Sequence, residues 1–339
     1  MGKRTPLTIM ADKKLIDRYG RQLNYLRLSV TDRCNIRCRY CMPEEGMLFA
    51  KKNELLSFEE LQYLTALFCG LGVNKIRITG GEPFVRRGIM QFLQELSQLN
   101  SLKEIVITTN ATLIDEYIGE LLETRIRKIN ISLDALDANR FFQITRRDSF
   151  NTVYANIFAL LEAGFDVKLN CVLSAAINIA DIIPFIELTK HHRLAVRFLE
   201  EMPFNGTGHF DTVRWDHTDI YQHISRHYEH INAEKNELNS TSVNYRISGY
   251  KGSFGIIPSF SRTFCGTCNR IRLSATGELR TCLYGPPAAN LRDVLRGGAT
   301  PAELENTIIT AVSDRLKDGL EAEALRSQTV YDSMSVLGG

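Results

Sequence analysis

Cys34-Asn35-Ile36-Arg37-Cys38-Arg39-Tyr40-Cys41-Met42-Pro43 places three thiols within eight residues, spaced C-x3-C-x2-C. A short apolar run, Tyr25-Leu26-Arg27-Leu28-Ser29-Val30, comes directly before it. The thiols are not a helical stripe, because Pro43 would end such a helix almost at once. The spacing suits a loop wrapped around one compact inorganic body. Thiolates at this density in a chain of intracellular character are metal ligands more often than packing residues. Structural zinc and an iron–sulfur cube each take four ligands, and only three are local. Either a distant side chain completes the set, or one metal position stays open for chemistry.

Outward from this loop, the chain has 339 residues, 44% of them hydrophobic, which is ample material for a large core. A net charge of +2 gives no global field for nucleic acid or an acidic membrane. The first twenty residues are charged and lack the apolar stretch of a signal peptide, and no run approaches a membrane span. A cytoplasmic location is therefore expected, with the eight cysteines reduced.

Six β-branched runs alternate with helical patterns. The runs are 25–30, 75–79, 104–109, 128–133, 167–173 and 195–200. Helices are expected over 57–68, with Ser57 and Glu60 as a capping box, and over 88–99, 113–123, 151–163 and 179–191. Repeated strand–helix units imply a parallel sheet with right-handed crossovers. No Gly-x-Gly-x-x-Gly follows the first strand, which counts against a dinucleotide fold. The strands carry polar residues at period two: Arg27 and Ser29, Arg77 and Thr79, Asn130 and Ser132, Lys168 and Asn170, and Arg197. A closed barrel fills its centre with branched apolar side chains, so this pattern predicts a wider, partial (β/α)6 barrel with a wet, cationic lumen. The bland alternative is that these residues point outward.

The strand ends carry further signals: Gly80-Gly81-Glu82-Pro83, Thr108-Thr109-Asn110, Ser132-Leu133-Asp134 and Glu201-Met202-Pro203. After Pro203 the chain turns polar, with one helix expected near 218–228. Its histidines, His223, His227 and His230, read as a solvated stripe. Boundaries of 1–204 and 205–339 are drawn on this change. A second constellation follows, Phe264-Cys265-Gly266-Thr267-Cys268-Asn269-Arg270-Ile271-Arg272 and then Cys282, again three thiols without a local fourth ligand. Arg270 and Arg272 share one side of an extended segment, a grip suited to phosphate. Cys69 and Cys171 sit in apolar stretches and read as core.

The first cysteine loop, with its aromatic residue before the last thiol, resembles the signature of the radical S-adenosylmethionine (SAM) enzymes, and Gly80-Gly81-Glu82-Pro83 resembles their "GGEP" motif. With the second constellation, the chain resembles the radical SAM cyclases of molybdenum cofactor biosynthesis. The likeness runs from Gly20-Arg21 to the terminal Gly338-Gly339. Ala111 departs from it, standing where that family usually has Gly after Thr-Thr-Asn, as does Ala275-Thr276-Gly277 in place of an Asp-Gly turn. The resemblance implies a lyase using two 4Fe-4S clusters and SAM, the second cluster lying in the C-terminal extension. Cys34, Cys38 and Cys41 would hold the first cluster, and Cys265, Cys268 and Cys282 the second. Tyr40, Gly81, Ser132 and Met202 match SAM-contacting positions. Arg27, Arg77, Thr108, Lys168, Arg270 and Arg272 match positions contacting the substrate, GTP. Gly338 and Gly339 match a tail that enters the barrel and positions catalytic groups, where the default for a chain end is fraying.

The implied product is (8S)-3',8-cyclo-7,8-dihydroguanosine 5'-triphosphate, at the first step of molybdopterin synthesis. The implied partners are an electron donor such as flavodoxin or ferredoxin and a downstream cyclic pyranopterin synthase, with a homodimer left open. Nucleic acid and membrane are not expected. Peptide-modifying radical SAM enzymes share the first motif, but those with large auxiliary domains usually carry more C-terminal cysteines. A tRNA-modifying relative should show a basic face. A zinc-binding interaction module would be colourless where an iron–sulfur protein is brown.

Overall fold

A computed structural model describes residues 14–206, 214–236, 238–325 and 332–338. Its strands are β1 (Tyr25–Ser29), β2 (Lys75–Thr79), β3 (Glu104–Thr109), β4 (Lys128–Ser132), β5 (Asp166–Leu173) and β6 (Ala195–Glu200). They continue as β7 (Ile231–Ala233), β8 (Val243–Ile247), β9 (Ser253–Ile257), β10 (Arg270–Leu273), β11 (Glu278–Arg280) and β12 (Ala289–Asn290). The crossover helices are α1 (Phe58–Gly70), α2 (Ile89–Ser97), α3 (Ile118–Leu122), α4 (Ala138–Thr145), α5 (Phe150–Glu162) and α6 (Ile182–His191). The later helices are α7 (His217–Ser225), α8 (Leu291–Arg296), α9 (Pro301–Ser313), α10 (Gly319–Ala324) and α11 (Met334–Leu337).

The six expected strands fall within one residue of their expected bounds, because each is a β-branched run stopped by turn residues. The capping box at α1 also forms: Ser57 Oγ accepts from the Glu60 amide at 3.2 Å, and Glu60 Oε2 accepts from the Ser57 amide at 2.8 Å. The expected helices at 113–123 and 179–191 each open with a short 3-10 turn, Ile114–Tyr117 and Ile179–Asp181, before the α-helix proper. Helix α4 was not foreseen; Asp137 caps it by accepting from the Arg140 amide at 2.9 Å.

All strands join one open sheet in the order β12-β11-β10-β1-β2-β3-β4-β5-β6-β9-β8-β7. Strands β1 to β6 run parallel in chain order. β10 adds parallel to β1 and β9 parallel to β6, and antiparallel β11–β12 and β8–β7 finish the two sides. The chain after residue 204 thus extends the partial barrel on both edges. Period-two patterning divides the strands. Leu26, Leu28, Ile76, Ile78, Ile129, Ile131, Val196 and Phe198 are buried in the main core. The alternate residues, Arg27, Arg77, Ser132, Asn170 and Arg197, line a cavity of about 580 Å³. The polar alternation is therefore lumenal, not outward.

Cys69 and Cys171 are buried in that core, as read. His227 and His230 are exposed, and His223 packs its ring on Trp215 with centroids 5.3 Å apart. No helix among the described residues is long and apolar enough to cross a membrane.

Candidate active site

All six thiols of the two constellations line the same cavity. The first loop is held by a chain of short-range contacts. The Cys41 and Met42 amides both donate to the Cys38 carbonyl, at 3.0 and 2.8 Å, and close a tight turn. The Arg37 and Arg39 amides donate to Thr145 and Ile144 carbonyls at the end of α4, which fixes the loop on the barrel rim. The Gly80-Gly81 turn packs beneath it. A Cβ on Gly81 would stand 2.3 Å from the Arg33 carbonyl oxygen, and one on Gly80 2.6 Å from that of Thr31. These glycines thus serve a loop-against-loop approach as well as an open backbone beside the cavity. Glu82, from the same motif, is buried and accepts from Thr109 Oγ1 at 2.8 Å and from the Asn110 amide at 2.6 Å, stapling the ends of β2 and β3.

The second loop is braced from the far end of the chain. Arg315 Nη1 donates to the Cys268 carbonyl at 2.7 Å, and Arg21 Nη1 to the Cys265 carbonyl at 3.1 Å. Arg21 is itself oriented by Asp17 at 2.6 Å. The tail closes over both loops. Ser333 Oγ donates to the Cys41 carbonyl, the Met334 amide donates to the Phe204 carbonyl at 3.0 Å, and Leu337 joins a small core with Phe204, Tyr284 and Ala322. The tail is packed, not frayed, as far as Gly338; Gly339 lies outside the described residues.

Four arginines stand between the thiol triads. Strand register puts Arg27 opposite Arg77 on one side and opposite Arg272 on the other. Arg27 Nε and Arg270 Nη2 are buried without a hydrogen-bond partner. Burial, then Arg272 and Arg77, pushes the Arg27 guanidinium well below its ordinary range. Burial and Arg270 bring Arg272 down to about 10. Like charges crowded in a partly dry space are costly unless an anion neutralises them, so the arrangement suits an anion. Arg77 is fixed by Tyr25 Oη at 2.5 Å and Thr108 Oγ1 at 3.3 Å, and by Asn130 Oδ1 once that amide is turned to face it.

The thiols differ in what they need. Burial, then the Glu82 carboxylate, pushes Cys34 up to about 12; burial and Asp134 push Cys38 well up; burial raises Cys41. Three thiols whose ionisation is disfavoured in this way become thiolates readily beside a bound cation, and a metal cluster supplies one. Burial also acts upward on Cys268, but Arg270 and Arg315 outweigh it and hold that thiol at about 6. All eight cysteines are free of disulfides. Among the described residues no three ligating side chains close on a single ion. Both thiol triads instead line the shared cavity, and the first, in the radical SAM loop, is by its chemistry a donor set for an iron–sulfur cluster.

Of the residues singled out by sequence, Tyr40, Gly81, Ser132 and Met202 line the cavity, as do Arg27, Arg77, Thr108, Arg270 and Arg272. Lys168 shares a strand face with Asn170 but is not among the lining residues. Gly338 lies beside the site, where its carbonyl accepts from Arg272 Nη1 at 3.1 Å. Sequence reasoning quoted Glu82, Asn110 and Asp134 in the strand-end motifs without giving any of them a role, and gave none to Tyr25 in the first apolar run. It also passed over Arg315 and Ser333, which carry no local signal at all.

Residues 28–189 match the family model described as Radical SAM superfamily, and residues 194–320 the one described as Molybdenum Cofactor Synthesis C. With the open parallel sheet and the cysteine loop, these matches define a radical SAM protein. Molybdenum cofactor biosynthesis protein 1 of Dictyostelium discoideum is 40% identical over 316 residues, 91% of this chain and 50% of that protein. The chain thus spans about half the length of the first such relatives. GTP 3',8-cyclase of Geobacter sulfurreducens is 37% identical over 332 residues, covering 96% of this chain and 100% of that one. In fold alone, the chain is similar to Streptococcus suis SuiB, with a TM-score of 0.62 at 15% identity over 95% of this chain and 79% of the other. The chain belongs to the GTP 3',8-cyclase family.

Proposed function

We propose that this chain is a GTP 3',8-cyclase, converting GTP to 3',8-cyclo-7,8-dihydro-GTP at the first step of molybdenum cofactor biosynthesis. The observation that carries the reading is a single cavity lined by both thiol triads and by Arg27, Arg77, Arg270 and Arg272. An anion-binding lumen flanked by two such triads suits a triphosphate whose ring and ribose are addressed from opposite sides.

Cys34, Cys38 and Cys41 would hold a 4Fe-4S cluster, with Tyr40, Gly81, Ser132 and Met202 around SAM; bound there, the pair would supply the radical chemistry that removes the ribose C3' hydrogen and so allows C3' to bond to guanine C8. Cys265, Cys268 and Cys282 would hold a second 4Fe-4S cluster near the guanine ring. The chain's own residues do the rest. Arg27, Arg77, Arg270 and Arg272 bind and orient the triphosphate, with Thr108 fixing Arg77. Lys168, on the same strand face as Asn170 though outside the cavity lining, adds to the positive field. Gly338 brings the backbone of the tail against Ser29 and Thr79 without a side chain in the way. The packed walls exclude water from a radical. The reaction needs a one-electron donor such as flavodoxin or ferredoxin, and its product is taken up by a cyclic pyranopterin synthase.

The test is anaerobic reconstitution. The account expects about eight irons and eight sulfides per chain, one four-iron cube per triad. It expects nucleotide conversion with GTP when each nucleotide is tried in turn with SAM and reductant. A colourless protein with stoichiometric zinc would end the reading.

A further inference from the structure

Asp134 is 2% exposed at the C-terminal end of β4, two residues beyond Ser132, and nothing so far gives it a task. Its carboxylate is fully committed. Oδ2 accepts from Tyr40 Oη at 2.8 Å, and Oδ1 accepts from the Val172 amide at 2.8 Å. Its carbonyl accepts from Asn178 Nδ2 at 2.7 Å, and the same amide group donates to the Val172 carbonyl at 2.8 Å. One residue therefore ties together the ends of β4 and β5 and the ring that stands between Cys38 and Cys41. Tyr40, Ser132 and Val172 all line the cavity at this end.

Two separate donors converge on this carboxylate, and deleting it leaves the Tyr40 hydroxyl and the Val172 amide without their acceptor. A buried hydrogen bond of this kind fixes the ring before a ligand arrives, so that binding does not have to order it. We infer that Asp134 is a positioning residue for the SAM site, acting through the hydroxyl of Tyr40. The inference rests on the radical SAM reading above.

The experiment measures the SAM dissociation constant of anaerobic, cluster-loaded protein by equilibrium dialysis, for wild type, Tyr40→Phe, Asp134→Ala and the double variant. Each single change removes the hydrogen bond between Tyr40 and Asp134. Each should weaken SAM binding about five-fold, and the double variant should be no weaker than the weaker single. Iron content and GTP affinity should stay at wild-type levels in all of them. Wild-type affinity in either single variant overturns the inference, as does a double loss equal to the product of the two. Should Asp134→Ala fail to fold or to load iron, Tyr40→Phe decides alone, since it deletes the bond and leaves the carboxylate in place. In that case five-fold weaker binding supports the inference, and unchanged binding overturns it. A wild-type protein that loads iron but binds no SAM sinks the radical SAM reading, and this inference with it. Wild-type SAM binding with no effect of the variants sinks this inference alone.

Discussion

Arg272→Met separates binding from stability with opposite signs. Arg272 faces Arg27 across one strand pair, and burial and Arg270 lower its guanidinium from an ordinary 12.5 to about 10. That difference corresponds to at most about 3 kcal/mol of cost to the ligand-free fold. Because a base with a depressed folded pKa is disfavoured as a cation, the cost is present throughout the range below pH 10. It fades only as pH rises from there toward 12.5. Against it stands one charged hydrogen bond, from Arg272 Nη1 to the Gly338 carbonyl, worth about 1.5–3 kcal/mol. Methionine fills similar space without charge, so the ligand-free variant should be as stable as wild type or more so, by on the order of 1 kcal/mol. Its advantage should be flat between pH 6 and 9. The same change removes one grip on the triphosphate and should weaken GTP binding by about 1.5–3 kcal/mol, roughly 10- to 150-fold. Urea unfolding of the ligand-free protein and calorimetric GTP titration read the two effects. A variant that is clearly less stable yet binds GTP normally would refute the idea of a strained anion site.

Three other expectations follow from single contacts. Burial raises Glu82 to about 7 from 4.5, so the fold keeps a proton there that the unfolded chain has released. Stability should fall as pH rises through that window, by up to about 3 kcal/mol, and Glu82→Gln should flatten the curve, leaving the smaller slope from Asp134, raised to about 6. In Gly338→Ala, a Cβ at φ +75° would stand 2.9 Å from Ser29 Cβ and 3.0 Å from Thr79 Oγ1. The tail should be displaced and cyclic product should drop about 100-fold, while iron content and SAM affinity hold; full product yield would return the tail to a passive role. Cys38→Ser should abolish 5'-deoxyadenosine, whereas Cys268→Ser should stop cyclisation and leave the first cluster assembled; normal cyclisation by Cys268→Ser would remove the second site from the account.

Strand periodicity made the barrel and its cationic lumen legible, because a strand exposes every second residue to the same face. The polar choices at Arg27, Arg77 and Asn170 are therefore statements about the cavity. The first cysteine spacing was legible because three thiols crowd one short loop, whereas Cys282 joins Cys265 and Cys268 only across β10 and β11. What stayed hidden depends on contacts between distant segments. Arg315 reaches the Cys268 carbonyl across 47 residues, and Ser333 reaches the Cys41 carbonyl across 292. Neither residue type carries a local pattern. Of the strands that finish the sheet, β7, β11 and β12 were missed because they are only two or three residues long and owe their existence to pairing, while β8 and β9, five residues each, were missed in the polar stretch after Pro203 and the segment that follows it. Ala111 is the instructive departure. It sits at φ +58°, in the left-handed region that a glycine would occupy freely, so the backbone of the Thr109-Asn110-Ala111 turn is kept even though the residue is not.

The most direct test of the central claim uses GTP carrying deuterium at ribose C3', with SAM, reductant and the reconstituted protein under anaerobic conditions. The account predicts that deuterium appears in 5'-deoxyadenosine in step with the 3',8-cyclised nucleotide. 5'-Deoxyadenosine formed without the label, or cyclised product that keeps its C3' deuterium, would contradict it.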